Sequence, residues 1–417
     1  MTILADLLST MFERRYRPFG QDRPSTRPIA ALTADLLGSA GETTEQALAQ
    51  DILGKFASLD DAGKLAFLQH LARDMNIDPE VVRSALDAYE QAPSKATYRA
   101  FLNAAEPQRQ ELIRRLNRAP GATGALVRMR ADLLSLAGDD PELAALDLDF
   151  RHLFASWFNR GFLVLRPISW ESPAHILEKI IAYEAVHAIH SWDDLRRRLQ
   201  PKDRRCFAFF HPAMPDEPLI FVEVALTKGI PGSIQALLAE DRAALNPEAC
   251  DTAVFYSISN CQAGLASISF GNSLIKQVAA DLAAEQAGLK TFVTLSPIPL
   301  LTKWAALNDI KMPETPAMRR ALAAHYLLDA KGRGDAPYDP VARFHLGNGA
   351  LVHAVHADAD SSANGVANSG GVMVNYLYDL SAVSQNLENF ATKGKIVASA
   401  EVTALAKTFV NATTAER

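Results

Sequence analysis

Four stretches in the second half of the chain carry side chains able to do chemistry. In Thr294-Leu-Ser-Pro-Ile-Pro299 the alternate prolines stop both helix and sheet ladder, so an apolar strand must end at Ser296. A hydroxyl there can face a cleft, as active-site residues of α/β proteins do, or can cap a turn. In Asp339-Pro-Val-Ala-Arg-Phe-His-Leu-Gly-Asn-Gly-Ala350, His345 sits among apolar residues ahead of a Gly-Asn-Gly turn. Histidine moves protons near neutral pH, and serves as well as a hydrogen-bonded core residue. His353 and His356 follow without the carboxylates from which a metal site would be built. In Gly371-Val-Met-Val-Asn-Tyr-Leu-Tyr378, Tyr376 and Tyr378 share a strand face, where they can pack or bound a pocket.

The fourth stretch runs from Phe255 to Lys276: a strand, a loop of small residues with Gln262, Gly264 and Gly271, then a helix over 274–282. Free N–H groups and the helix dipole make such a loop a natural phosphate site. It has neither the Gly-Lys-Ser/Thr of a Walker loop nor dinucleotide-fingerprint spacing, and a plain strand-to-helix turn fits the same residues. Arg196-Arg-Arg198 could meet acidic phosphates, though a solvated helix face accounts for it too.

The elements that must position these residues fall into two halves. From about 30 to 160 the apolar spacing is helical, punctuated by Asp60-Asp61, Asp78-Pro79, Ser94, Pro107 and Asp140-Pro141 as starts and by Pro120-Gly121, Gly138 and Gly161 as stops. The helix opened by Asp78 is expected to bury Val81, Val82, Ala85, Leu86 and Tyr89. Beyond Gly161, strands are expected at 162–165, 206–210, 219–226, 253–258 and 291–295, alternating with helices at 174–183, 192–199, 233–239 and 273–285. The spacing reads 357–371 as a long loop. The expected organisation is a helical bundle over 1–156 followed by an α/β domain over 157–417.

Composition narrows the function. The 417 residues, 48% hydrophobic and 22% charged, suit a soluble globular protein of two domains. A net charge of -6 speaks against a nucleic-acid binder. The arginines 14, 15, 17, 23 and 27 are too few for such a footprint. Three cysteines without zinc spacing suit a reducing compartment. The first residues have helical apolar spacing (Ile3, Leu4, Leu7, Leu8, Met11, Phe12) and lack a secretory pattern, and nowhere do about 20 apolar residues run together. A cytoplasmic protein that engages neither nucleic acid nor membrane is expected.

Taken together, these motifs resemble the malonyl-CoA decarboxylase family. The similar stretches are WFNRGFLVLRPISWESP, EAVHAIHSWDDLRRRL, EPLIFVEVALTKGIPGSIQALL, FYSIS with its Gln-x-Gly-Leu loop and FGNSLIK, TLSPIP, DPVARFHLGNGA and VMVNYLY, in one order from Trp157 onward. The resemblance implies an N-terminal all-helical assembly domain, and a catalytic domain of the acetyltransferase-like (GNAT-like) mixed-sheet fold. That fold holds coenzyme A beside a splayed pair of central strands. By the same resemblance Ser296, His345 and Tyr378 are catalytic, and Gln262, Ala263, Gly264, Leu265, Ala266 and Ser267 bind coenzyme A. Ser269 stands where some members carry glutamate, and His356 where asparagine is usual.

The implied reaction converts malonyl-CoA to acetyl-CoA and carbon dioxide. The thioester is the electron sink, so no cofactor is expected beyond the coenzyme A of the substrate. His345 would donate to the enolate, Ser296 would place the departing carboxylate or assist, and Tyr378 would shape the pocket. The implied assembly is a homo-oligomer, a tetramer through the helical domain. An acyl-CoA N-acyltransferase of the same fold, or a silent acyl-CoA sensor, are the competing readings.

Overall fold

The computed structural model describes residues 27–39, 41–268 and 274–415. The amphipathic start, Arg14 to Arg23 and Ser269 lie outside these residues, whereas Arg27 pairs with Asp35. The chain divides into two compact units, and not by a single cut. The first holds 1–164 together with 210–218 and 262–269, and the second holds 165–209, 219–261 and 270–417.

In the first unit, α1 to α8 are Ile29–Gly38, Glu42–Ser58, Asp61–Asp74, Pro79–Gln91, Lys95–Ala105, Gln108–Leu116, Ala122–Leu136 and Pro141–Trp157. The expected starts are side-chain caps except at Pro107, which opens its helix without one. Asp60 accepts from the Gly63 N–H, Asp78 and Asp140 each accept from two N–H groups ahead of a first-turn proline, and Ser94 closes a capping box with Thr97. Leu68, Leu71, Leu112, Leu116, Leu126 and Phe150 make the core between them.

One expectation fails here. α4 and α5 bury no residue fully, and Val81 and Tyr98 are 53% and 49% exposed. Their stripe is helical and apolar, but the two helices lean on each other through Tyr89 and Tyr98, and the stripe extends past that contact. Periodicity marks an apolar face without saying what covers it.

The loop 262–269 belongs to this unit because α7 grips it. Arg130, 1% exposed, pairs with Asp147 and donates to the carbonyls of Gly264 and Ala266 at 2.7 and 2.9 Å. At Gly264 a side chain has no room, since a Cβ would stand 1.8 Å from the Val127 carbonyl oxygen.

The second unit is built on a mixed sheet in the order β1-β2-β3-β4-β5-β8-β6, with β7 on β8. The strands are β1 Val164–Ile168, β2 Arg204–His211, β3 Met214–Thr227, β4 Thr252–Asn260, β5 Thr291–Thr294, β6 Ser296–Pro297, β7 Leu351–His356 and β8 Met373–Leu377. β1 starts later than expected, because Asn159 caps a 3₁₀ turn at Arg160–Phe162. β4 and β5 run parallel from Thr252↔Thr291 to Phe255↔Thr294. The Leu295 N–H still reaches the Phe255 carbonyl at 3.0 Å, after which β4 continues to Asn260 without that partner. This is the splayed central pair that the resemblance implies.

The helices of this unit, α9 to α18, are Ala174–Tyr183, Trp192–Leu199, Ile234–Leu238, Leu274–Glu285, Leu301–Leu307, Pro316–Asp329, Pro340–Leu346, Ala363–Ser369, Val383–Lys393 and Ala400–Ala415. The stretch expected as a long loop contains α16, because Ser362 caps its first turn and Gly370, at φ 63°, closes it. Arg198 is no solvated face: at 4% exposure it bonds Glu223, Asp194 and the carbonyls of His187 and Ala188. No helix among the described residues is long and apolar enough to cross a membrane.

Two glycines in contact with α7 or within it should respond oppositely to alanine. Gly264→Ala should lower stability by at least about 2 kcal/mol, since backbone must move to admit the Cβ. Gly124, in α7 with its nearest foreign atoms at 3.5 Å or more, should gain about 0.5–1 kcal/mol. Urea unfolding of both variants checks this, and a neutral Gly264→Ala would refute the close approach.

Candidate active site

The site begins where β5 loses its regular pairing. Val293 stands opposite Leu377 of β8, and Ser296 opposite Val374, in the same antiparallel register. Between them the ladder is made by side chains. The Tyr376 N–H donates to Thr294 Oγ1 at 3.1 Å, and the Thr294 carbonyl accepts from Asn375 Nδ2 at 2.7 Å. Pairing on β8 resumes over Ser296–Pro297, with Pro297 opposite Met373, so the ladder does not stop at Ser296 as the prolines suggested. Ser296 stands just past the break with 5% exposure.

His345 arrives from α15. Asp339 caps that helix, accepting from the N–H groups of Val341 and Ala342 at 2.9 Å, with Pro340 preset in the first turn. Burial raises the Asp339 pKa against the pull of those bonds. The helix ends abruptly. Gly349, at φ 87°, passes so near the Val383 carbonyl that a Cβ would lie 2.2 Å from its oxygen. The chain enters β7 at once, and since Val352 pairs with Tyr376 on β8, His345 is delivered beside the tyrosines.

The structure thus brings Ser296, His345 and Tyr378 into one string. Ser296 Oγ is 3.3 Å from His345 Nε2, and His345 Nδ1 is 2.8 Å from the Tyr378 hydroxyl. Ser296 Oγ also donates to Thr294 Oγ1 at 2.8 Å. Tyr376 stacks on the imidazole with centroids 4.6 Å apart. All are buried. Desolvation pushes the His345 pKa down to about 3 and raises that of the Tyr378 phenol well above its ordinary value. The arrangement is a neutral, dry chain of hydroxyl, imidazole and phenol, suited to presenting a hydrogen-bond donor to developing negative charge.

Gln262, Ala263, Gly264, Leu265, Ala266 and Ser267 lie in the first unit, as a 3₁₀ turn at Ala263–Leu265 and its flanks. Gln262 Nε2 donates to the Pro218 carbonyl at 3.0 Å. The N–H groups of Leu265, Ala266 and Ile268 turn back onto loop carbonyls, and Ser267 takes φ 64°. His356 meets Asn375 Oδ1 through Nε2 and packs so closely on Gly232 that a Cβ there would be 2.7 Å from its ring.

Sequence reasoning missed Thr294 and Asn375. Two-residue alternation puts Thr294 on the face of Ser296, and a polar Asn375 inside an apolar strand signals an internal bond. Both signals were available.

A family model described as the malonyl-CoA decarboxylase C-terminal domain matches residues 161–318 and 308–416, and one described as the N-terminal domain of that enzyme matches 75–158. The mitochondrial malonyl-CoA decarboxylase of Anser anser anser is 33% identical over 404 residues, covering 81% of this chain and 79% of its own. The crystal structure of malonyl-CoA decarboxylase from Rhodopseudomonas palustris is 47% identical with a TM-score of 0.85, over 90% of this chain and 98% of that one. That from Agrobacterium vitis is 46% identical with a TM-score of 0.85, over 90% and 99%. With both family models matched, and relatives similar over most of their length, the chain belongs to the malonyl-CoA decarboxylase family.

Proposed function

We propose that this chain decarboxylates malonyl-CoA to acetyl-CoA and carbon dioxide, with Ser296, His345 and Tyr378 as its catalytic residues. The observation that carries the assignment is the buried Ser296–His345–Tyr378 string in a member of this family. Loss of carbon dioxide from a malonyl thioester leaves an enolate, whose charge gathers on the thioester oxygen until the α-carbon takes up one proton from solvent to give the acetyl thioester. The thioester is its own electron sink, so the reaction calls for no metal or redox group.

What the chain must supply is a donor aimed at that oxygen, in a place where water does not compete. Both ring nitrogens of His345 are engaged, so Ser296 Oγ is the atom that meets the substrate. Its O–H rests on Thr294 and turns to the developing oxyanion. His345, with a pKa near 3, stays neutral at working pH and backs the serine as a fixed dipole. Tyr378 holds the far side of the ring.

Gln262, Ala263, Gly264, Leu265, Ala266 and Ser267 are the proposed contact for coenzyme A. A 3₁₀ turn of small residues, followed in sequence by the helix Leu274–Glu285, supports this. Since three N–H groups are engaged within the turn, those of Ala263, Gly264 and Ser267 are the candidates for phosphate. The apolar edge of α4 and α5 supports a homo-oligomer, a tetramer, formed through the helical unit. A cytoplasmic site of action completes the reading.

Three measurements test it. Purified chain given malonyl-CoA alone should yield acetyl-CoA by mass spectrometry, and Ser296→Ala and His345→Ala should each lower kcat by about 10²–10³. Undiminished turnover in either variant would remove that residue from the site.

A second test uses pH. The His345 ring has a folded pKa of about 3 against 6.5 when free, so it contributes stability that is present above pH 6.5 and is lost as pH falls toward 3. Between pH 6.5 and 4.5 the wild type should lose about 2 kcal/mol relative to His345→Gln, read from urea midpoints. Parallel pH curves would contradict a buried neutral ring.

Assembly is tested by light scattering. Val81→Glu combined with Leu102→Glu should reduce the particle mass while leaving the circular dichroism spectrum unchanged. An unaltered mass would exclude the α4–α5 edge as the interface.

A further inference from the structure

Between Ser296 Oγ and His345 Nε2, 3.3 Å apart, there is room for one proton, and either atom can supply it. The choice decides the tautomer of the buried ring, because a neutral imidazole carries a single N–H and the bond made by one nitrogen dictates the state of the other. Three bonds outside the pair make the choice. Thr294 Oγ1 is held in place by the Tyr376 N–H at 3.1 Å, while the carbonyl of Thr294 is tied to Asn375 Nδ2 at 2.7 Å. The next peptide is anchored by the Leu295 N–H on the Phe255 carbonyl at 3.0 Å. The threonine oxygen is therefore a fixed acceptor, and Ser296 Oγ donates to it at 2.8 Å.

We propose that Thr294 is a positioning residue that sets His345 in its Nε2–H tautomer by accepting the hydrogen bond of the Ser296 hydroxyl. With that proton committed, Ser296 Oγ presents lone pairs to the ring, so Nε2 must be the donor and Nδ1 the acceptor. The Tyr378 O–H then donates to Nδ1 across 2.8 Å. All donors point one way, from Tyr378 through His345 and Ser296 to Thr294. Reversal would make Nδ1 donate to Tyr378 and leave the phenol proton seeking another acceptor. Among the described residues Tyr378 Oη bonds only to His345, so reversal moves the one unpartnered hydroxyl proton of the string from Thr294 to Tyr378, and the bond from Ser296 to Thr294 decides between the two.

The consequence for turnover rests on the decarboxylase reading. When the Ser296 O–H swings from Thr294 to the substrate oxygen, Oγ is still held by Nε2–H, and the donor is polarised as charge develops. In the other tautomer Ser296 would give its proton to the ring and have none for the substrate.

The test is the 15N spectrum of the full chain labelled at histidine, with two-bond nitrogen–hydrogen correlations assigned by the signals lost in His345→Gln. Wild type should show a protonated Nε2 and a bare Nδ1. Thr294→Ser should keep that pattern, Tyr378→Phe should keep it too, and Thr294→Val, which removes the acceptor at equal shape, should reverse it. Turnover of Thr294→Val should fall by at least about tenfold with KM near the wild-type value, and Thr294→Ser should restore it. An Nδ1–H ring in the wild type, or Nε2–H surviving in Thr294→Val, overturns the inference. Should Thr294→Val not fold, the wild-type and Tyr378→Phe spectra decide, because loss of Nε2–H in the latter would transfer control to Tyr378. The expected tautomers in a protein that does not turn over malonyl-CoA would uphold the inference and sink the function proposed above.

Discussion

The sheet gives up one regular ladder bond at Thr294, and the site depends on that concession. The Tyr376 N–H takes the threonine hydroxyl in place of its carbonyl, and the carbonyl is taken by the Asn375 side chain. A backbone group in the middle of a sheet cannot be left unpaired without a cost of about 1–3 kcal/mol, so the replacement partners are obligatory. They permit β5 to part from β4 at Leu295 while keeping its register on β8 across the jog. The gap that opens is where Ser296 stands.

Burial then shapes the chemistry. A hydroxyl, an imidazole and a phenol are taken out of water together and satisfy one another, with Thr294 closing the serine end. Desolvation keeps the imidazole neutral and the phenol protonated, so the string carries no net charge and incurs no ionic desolvation penalty. What it offers is oriented dipoles in a medium of low polarisability, where a hydrogen bond to a nascent enolate counts for most. The hinge of this arrangement is α15, a helix of seven residues fixed at one end by the Asp339 cap and at the other by Gly349 against Val383. A helix so short has little stability of its own. Its position is set by those two ends.

The helical unit shows the same economy of means. Arg130 is the one large cation of α7 that is fully enclosed, and its guanidinium joins Asp147 to the Gly264 and Ala266 carbonyls. Its planar fork can serve three acceptors at once, which a lysine could not do with the same geometry. The turn 262–268 is thereby packed within the helical unit although its neighbours in sequence belong to the sheet. α4 and α5, by contrast, have well-formed caps and an apolar stripe that the described residues do not cover.

What could be read from the residues alone is what local physics decides. Helix starts at Asp60, Asp78, Ser94 and Asp140 and the change from helical to alternating spacing near Gly161 follow from caps and periodicity, whereas the stop expected at Ser296 did not hold, because β8 pairs through Pro297. The motif order from Trp157 onward pointed to Ser296, His345 and Tyr378, and the structure places the three within hydrogen-bond reach of one another. Sequence could not tell that the Asp78 helix leaves its stripe bare, that Arg198 is enclosed with Glu223, or that 357–371 holds a helix, because each depends on which distant surface arrives opposite. It also could not separate a core histidine from a catalytic one. His345 is both. Its two bonds come from residues 49 and 33 positions away, and only the closing of β8 against β5 and β7 brings them into contact and buries the ring, which lowers its pKa.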